Sequence, residues 1–177
     1  MPKSDEWRYI GIDETNHGRF PEIFVAAYSN TAMDTHCHAD GQFTKQRKSH
    51  NGLAGRLSHR GYSFIVVGKE ILYGYREEQI FASVLVSLIR QIPRPSLEQI
   101  WIDGDLNEQK KEEMWRRLKK DCSITEKDIS IQFGPKYDTK VYLVNLADEI
   151  AHHLYHQPLD KIARNPRKRD ILLPNRK

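Results

Sequence analysis

The feature that most restricts this chain is a strand–helix–strand run between residues 99 and 133. Residues 99–103 (QIWID) are a short apolar segment that ends in an acid. A densely charged segment, 107–120, follows with helical character, and then ISIQF at 129–133 reads as another strand. Two strands joined through a helix return parallel in one sheet by a right-handed crossover. Elsewhere Ile80, Phe81, Val84, Leu85, Leu88 and Ile92 keep helical spacing and predict a helix over 77–92, stopped by Pro93 and Pro95. Residues 142–155 (YLVNLADEIAHHLY) predict a final helix, ended before Pro158.

The N-terminal third adds strands without helices between them. Residues 7–13 (WRYIGID) and 23–29 (IFVAAYS) are aromatic and β-branched, with a polar turn between them too short for a parallel return. They predict an antiparallel hairpin, and 62–67 (YSFIVV) predicts a third strand. A hairpin followed by strand–helix alternation gives an α/β fold: a mixed sheet with helices packed on it.

A length of 177 residues supports one substantial core. The expected organisation is one domain over 1–160, with an irregular excursion at about 30–61 that is helical only around 52–59. A basic tail, 161–177, is expected to be at most partly ordered, given Pro166 and Pro174. No apolar run approaches the ~20 residues needed to cross a bilayer, so no membrane association is expected. The first residues lack the apolar stretch of a secretory signal, and a cytoplasmic location follows as an expectation. Two cysteines, Cys37 and Cys122, are too few for a disulfide framework or a four-thiolate zinc site and are expected to be buried thiols. His36, Cys37 and His38 lack the matching second pair that zinc would need.

The net charge of +4 is unevenly spread. Lys45, Arg47, Lys48, Arg56, His59 and Arg60 form one basic group; Lys161, Arg164, Arg167, Lys168, Arg169, Arg176 and Lys177 form another. Each alone reads as solvated surface; together they are compatible with phosphate contacts, and so with a nucleic-acid partner.

The chemistry is expected where acids end strands. In open α/β sheets, ligands bind beyond the carboxyl ends of the strands. Asp13 and Glu14 end the first strand, Asp103 ends a later one, and Asp148 projects from the final helix among Leu146, Ala147, Ile150 and Ala151. Gathered carboxylates raise one another's pKa unless a cation lies between them, and an all-oxygen site suits Mg2+ or Mn2+. Each acid also has a plainer reading. Residues 13–18 and Asp103-Gly104 have turn composition, Asp103 or Asp105 suits a helix cap, and Asp148 suits a surface ion pair. Among other polar groups, His17 adjoins the first acids, Lys136 and Lys140 precede the final helix, and His152 lies four residues beyond Asp148.

The segment 13–18 (DETNHG) resembles the Asp-Glu-x-x-x-Gly opening of type 2 ribonucleases H. The segment 146–151 (LADEIA) is similar to the closing helix of uncharacterised ribonuclease-H-like families. This resemblance implies a ribonuclease-H-like fold and a divalent-metal-dependent nuclease acting on RNA or DNA. It implies catalytic and metal-binding roles for Asp13, Glu14, Asp103 and Asp148, with Asp138 as the rival for the last place. By position, His17 beside the acids and Lys136 and Lys140 before the final helix are candidate substrate contacts, although both lysines read more simply as solvated surface. Arg19, one place beyond the segment 13–18, is a fourth candidate. Type 2 ribonucleases H have Gly-Arg-Gly where this chain has Asn16-His17-Gly18, so their reading of a ribonucleotide junction does not carry over. A non-catalytic nucleic-acid-binding or scaffold protein of the same fold is the alternative. A sugar-kinase-like ATPase on this core would need a second domain and a glycine-rich phosphate loop that the chain lacks.

Overall fold

The strands and helices follow from apolar segments that can each bury one face. A computed structural model describes residues 6–15, 21–43, 50–93 and 95–175. The strands are β1 (Trp7–Glu14), β2 (Glu22–Ser29), β3 (Gly61–Val67), β4 (Pro95–Asp103) and β5 (Ser130–Gly134). The helices are α1 (His50–Arg56), α2 (Glu77–Arg90), α3 (Glu108–Cys122), α4 (Tyr137–Lys140), α5 (Tyr142–Tyr155) and α6 (Leu159–Ala163). Short 3-10 turns occupy Ala32–Thr35 and Lys69–Tyr73.

All five strands form one sheet in the order β3-β2-β1-β4-β5. The hairpin β1–β2 and the pair β2–β3 are antiparallel, while β1–β4 and β4–β5 are parallel. The mixed sheet and the β4–α3–β5 crossover are those expected from the alternation of elements. β4 begins at Pro95, before the apolar stretch, because its polar first residues still pair with β1, as Trp7 opposite Pro95 shows. Asn107 caps α3 by accepting from the Lys110 N–H at 2.8 Å, so neither Asp103 nor Asp105 is needed as the cap.

Alternation along the strands divides the core. Ile10, Ile12, Phe24, Ile65, Ile100 and Ile102 face α2 and α3, where Leu85, Leu88, Met114 and Leu118 meet them. Tyr9, Val25, Ala27 and Phe64 face the other way, onto Leu143, Leu146, Ala147, Ile150 and Leu154 of α5. Gly11 lies on this second face, and a Cβ there would collide with the Leu143 and Val144 backbone. The missing side chain lets the start of α5 lie directly on β1, two residues before Asp13.

The C-terminal segment has partners. The Phe64 N–H donates to the Arg167 carbonyl at 3.1 Å, and the Arg169 N–H donates to the Phe64 carbonyl at 2.8 Å, which partly covers the outer edge of β3. Further on, the Leu172 N–H donates to Ser87 Oγ at 2.7 Å. Buried Arg117 donates to the Leu172 carbonyl, to Ser83 Oγ and to Asp121. Cys37 is exposed and Cys122 half-buried, against the expectation of two buried thiols: Cys37 falls in the irregular segment after the first 3-10 turn, outside both cores.

Because α5 rests on Gly11 without a gap, Gly11→Ala should destabilise the protein by about 1–3 kcal/mol, the usual cost of overpacking. Urea unfolding of the two proteins measures it, and equal midpoints would contradict this packing.

Candidate metal centre

Parallel pairing sets the site. Ile12 of β1 lies opposite Ile102 of β4, so the next residues, Asp13 and Asp103, end neighbouring strands. Asp13 shares the α5 face with Tyr9 and Gly11. Asp103 shares it with Trp101, whose ring meets Tyr137 of α4 at 5.1 Å. Asp103 Oδ1 then accepts from the N–H of Tyr137 at 2.8 Å and of Asp138 at 3.4 Å, holding the first turn of α4 against the end of β4. The result is a group of three carboxylates, Asp13, Asp103 and Asp138, each offering one oxygen that lies within 4.8 Å of the other two. Asp13 and Asp138 are only 5% and 3% exposed, so the group cannot rely on bulk water to screen its charges.

The electrostatics agree with this crowding. Burial, followed by the charges of Asp103 and Asp148, holds the Asp13 carboxyl well above the usual carboxylate range; Asp138 adds to the rise. The Glu14 N–H, donated to Asp13 Oδ1 at 2.8 Å, works in the opposite direction. The balance for Asp13 favours its neutral form, and a divalent cation between the oxygens would reverse it. The donor set, all carboxylate oxygen, fits such an ion.

The remaining expected residues are placed as follows. Asp148 on α5 is close enough for its charge to act on Asp13, but it lies outside the group of three. Glu14 follows the alternation onto the face of Ile10 and Ile12, where the charges of Glu22, Lys110 and Glu77 act on it, and that of Asp103 in the trio reaches it as well. Burial, and after it Glu22, pushes its carboxyl up to about 7. Lys136 is exposed with a left-handed φ of 63° just before α4, and Lys140 ends that helix, so the two flank Asp138 in the chain. His17 and Arg19 lie outside the described residues, as do Lys45, Arg47 and Lys48.

Two basic residues of the excursion have structural partners. Arg56 pairs with Glu149, and Arg60 pairs with Asp34 through both Nε and Nη2. Their guanidiniums lie 4.7 and 4.6 Å from the centre of the Tyr142 ring. His36 and His38 meet edge to face at 4.6 Å; among the described residues, the metal-compatible group is the aspartate trio. His152, on the last turn of α5, meets His156 just beyond the helix edge to face at 4.5 Å.

Asp138 enters the group that Asp148 was first expected to complete. Its sequence signal was weak: one acid in the short polar segment between the last strand and the final helix. Its burial depends on the Asp103–α4 contact, which joins segments far apart in the chain.

No protein-family model and no curated protein sequence matches this chain. Its structure does match solved structures. It is similar to the crystal structure of ribonuclease H2 from Pyrococcus horikoshii OT3, with a TM-score of 0.58 and 17% sequence identity. The match covers 89% of this chain and 76% of that one. The fold is ribonuclease-H-like, as the opening motif and the order of elements led one to expect.

The raised carboxyls fix a pH dependence in metal-free protein. Glu14 has a folded pKa of about 7 against an ordinary 4.5, so between these values the folded state binds more protons than the unfolded state. Stability then falls as pH rises through that window, and Asp13 acts in the same direction. Thermal unfolding in chelator should show the melting temperature dropping between about pH 4.5 and 7. Asp13→Asn, which removes one buried charge, should be more stable than the parent at pH 7.5. A melting temperature that rises over that range, or an Asp13→Asn variant that is less stable, would contradict the geometry.

Proposed function

We propose that this protein is a divalent-metal-dependent nuclease that hydrolyses phosphodiester bonds of RNA or DNA. The observation that carries the reading is the trio Asp13, Asp103 and Asp138, with oxygens within 4.8 Å, at the carboxyl ends of two parallel strands of a ribonuclease-H-like sheet. These three carboxylates would hold Mg2+ or Mn2+, and Asp148 adds negative charge at the margin of the site. Bound there, a divalent ion supplies Lewis acidity toward a phosphodiester and an attacking water. The chain's own part is to pre-arrange the oxygens. β1 and β4 fix Asp13 and Asp103 by backbone pairing, and Asp103 fixes Asp138 through the amide nitrogens of α4.

Substrate contacts are assigned to Lys136 and Lys140, the cations that flank Asp138 in the chain, and to His17 and Arg19 beyond Glu14. Glu14 itself is assigned a supporting role behind the first strand, because its side chain leaves β1 on the α2–α3 face. The likeness to ribonuclease H2 supports nucleic acid as the substrate class here, without that enzyme's specificity.

The test offers purified protein labelled single strands, duplexes, RNA–DNA hybrids and four-way junctions with magnesium, manganese or chelator. Cleavage of at least one substrate should require the metal, and Asp13→Asn should reduce it to the level seen in chelator. Binding without cleavage across all substrates would overturn the enzyme and favour a nucleic-acid-binding protein of the same fold.

A further inference from the structure

The excursion between β2 and β3 touches the metal centre through the backbone of α4. Asn145, 4% exposed in the first turn of α5, donates through Nδ2 to the Asp138 carbonyl at 2.8 Å. Its Oδ1 accepts from Arg56 Nη2 of α1, also at 2.8 Å. Arg56 is fixed in turn by Glu149, by the Tyr142 hydroxyl at 3.2 Å and by the Tyr142 ring. The next two carbonyls are held as well. That of Thr139 accepts from the N–H groups of Gln42 and Phe43 at 2.9 and 3.0 Å, and that of Lys140 accepts from the His38 N–H at 3.0 Å. Three successive carbonyls of this four-residue helix thus receive hydrogen bonds from the excursion or from the side chain it holds.

A helix this short has little stability of its own, since its end groups lack internal partners. Asp138 therefore needs outside restraint to stay beside Asp13. Asp103 provides it at the amide side and Asn145 at the carbonyl side. We propose that Asn145 and Arg56 are positioning residues that hold Asp138 in ligand geometry, and that His38, Gln42 and Phe43, the described residues of the excursion that meet α4, are structural supports of the metal centre. This inference rests on the metal-binding reading above. Partners behind metal ligands orient them, and losing one commonly costs ten- to a hundredfold in metal affinity.

The test is metal binding by the full chain, read by manganese electron paramagnetic resonance and by calorimetry, with no substrate present. Asn145→Ala should bind Mn2+ at least about tenfold more weakly than the parent. Arg56→Lys keeps a cation beside Glu149 but loses the guanidinium arm to Asn145. It should be weakened in the same direction, and it carries the test if Asn145→Ala does not fold. Leu118→Ala, which opens a cavity in the opposite core, should lower the melting temperature and leave Mn2+ affinity unchanged. The proposal is overturned if the folded Asn145 and Arg56 variants bind Mn2+ as tightly as the parent, or lose no more affinity than Leu118→Ala does. A parent protein that binds no Mn2+ would overturn the metal reading itself, and this inference with it.

Discussion

The parallel pairing of β1 with β4 is the constraint on which the rest of the site depends. Two strands distant in sequence finish side by side, and each carries an aspartate at or next to its last position on one face of the sheet. Once their backbones are paired, Asp13 and Asp103 cannot move apart to relieve their repulsion. The backbone amides of α4 meet Asp103, and Asp138 arrives with them as a third carboxylate. Each step that fixes geometry adds negative charge in a place with little water. The raised Asp13 carboxyl is the electrostatic result, and the divalent cation proposed for this site would relieve it.

The opposite face of the sheet contributes stiffness. α2 and α3 cover Ile10, Ile12, Ile100 and Ile102, the residues that alternate with the acids and their neighbours along β1 and β4. On the site's own face, Gly11 lets α5 approach the strand closely, bringing Asp148 within electrostatic reach of Asp13. The two faces divide the work: one anchors the strands by apolar burial, and the other carries the charged groups and their polar supports. The basic residues fit the same division. Arg56, Arg60 and Arg117 serve internal ion pairs and hydrogen bonds, so overall positive charge is a poor guide to where a polyanion would lie.

Much of this was legible in the sequence, and the reasons are local. Aromatic and β-branched content in residues 7–13, helical spacing in 77–92 and the mostly apolar run 142–155 reflect faces that must be buried, whatever the partner. The hairpin was fixed by a short connection, and the parallel crossover by an intervening helix. Asp13 and Asp103 were visible because strand ends can be read from pattern alone. The place of Asp138 was harder to see. It depends on a carboxylate of β4 capping a four-residue helix, an interaction with no periodic signature. The link from Arg56 through Asn145 to the Asp138 carbonyl was invisible for the same reason, since it joins an irregular excursion to the final helix. Side-chain direction also separated Glu14 from Asp13, although the two adjoin in sequence.

Asp13 and Asp103 at the strand ends and Asp138 on α4 are proposed to form one metal centre. Crystals soaked in manganese chloride, with anomalous diffraction recorded at the manganese edge, test it most directly. An anomalous peak bounded by the carboxylates of Asp13, Asp103 and Asp138 is expected, and it should be lost in Asp13→Asn crystals. A saturating soak with no peak at these residues, or with manganese bound only elsewhere, would contradict it.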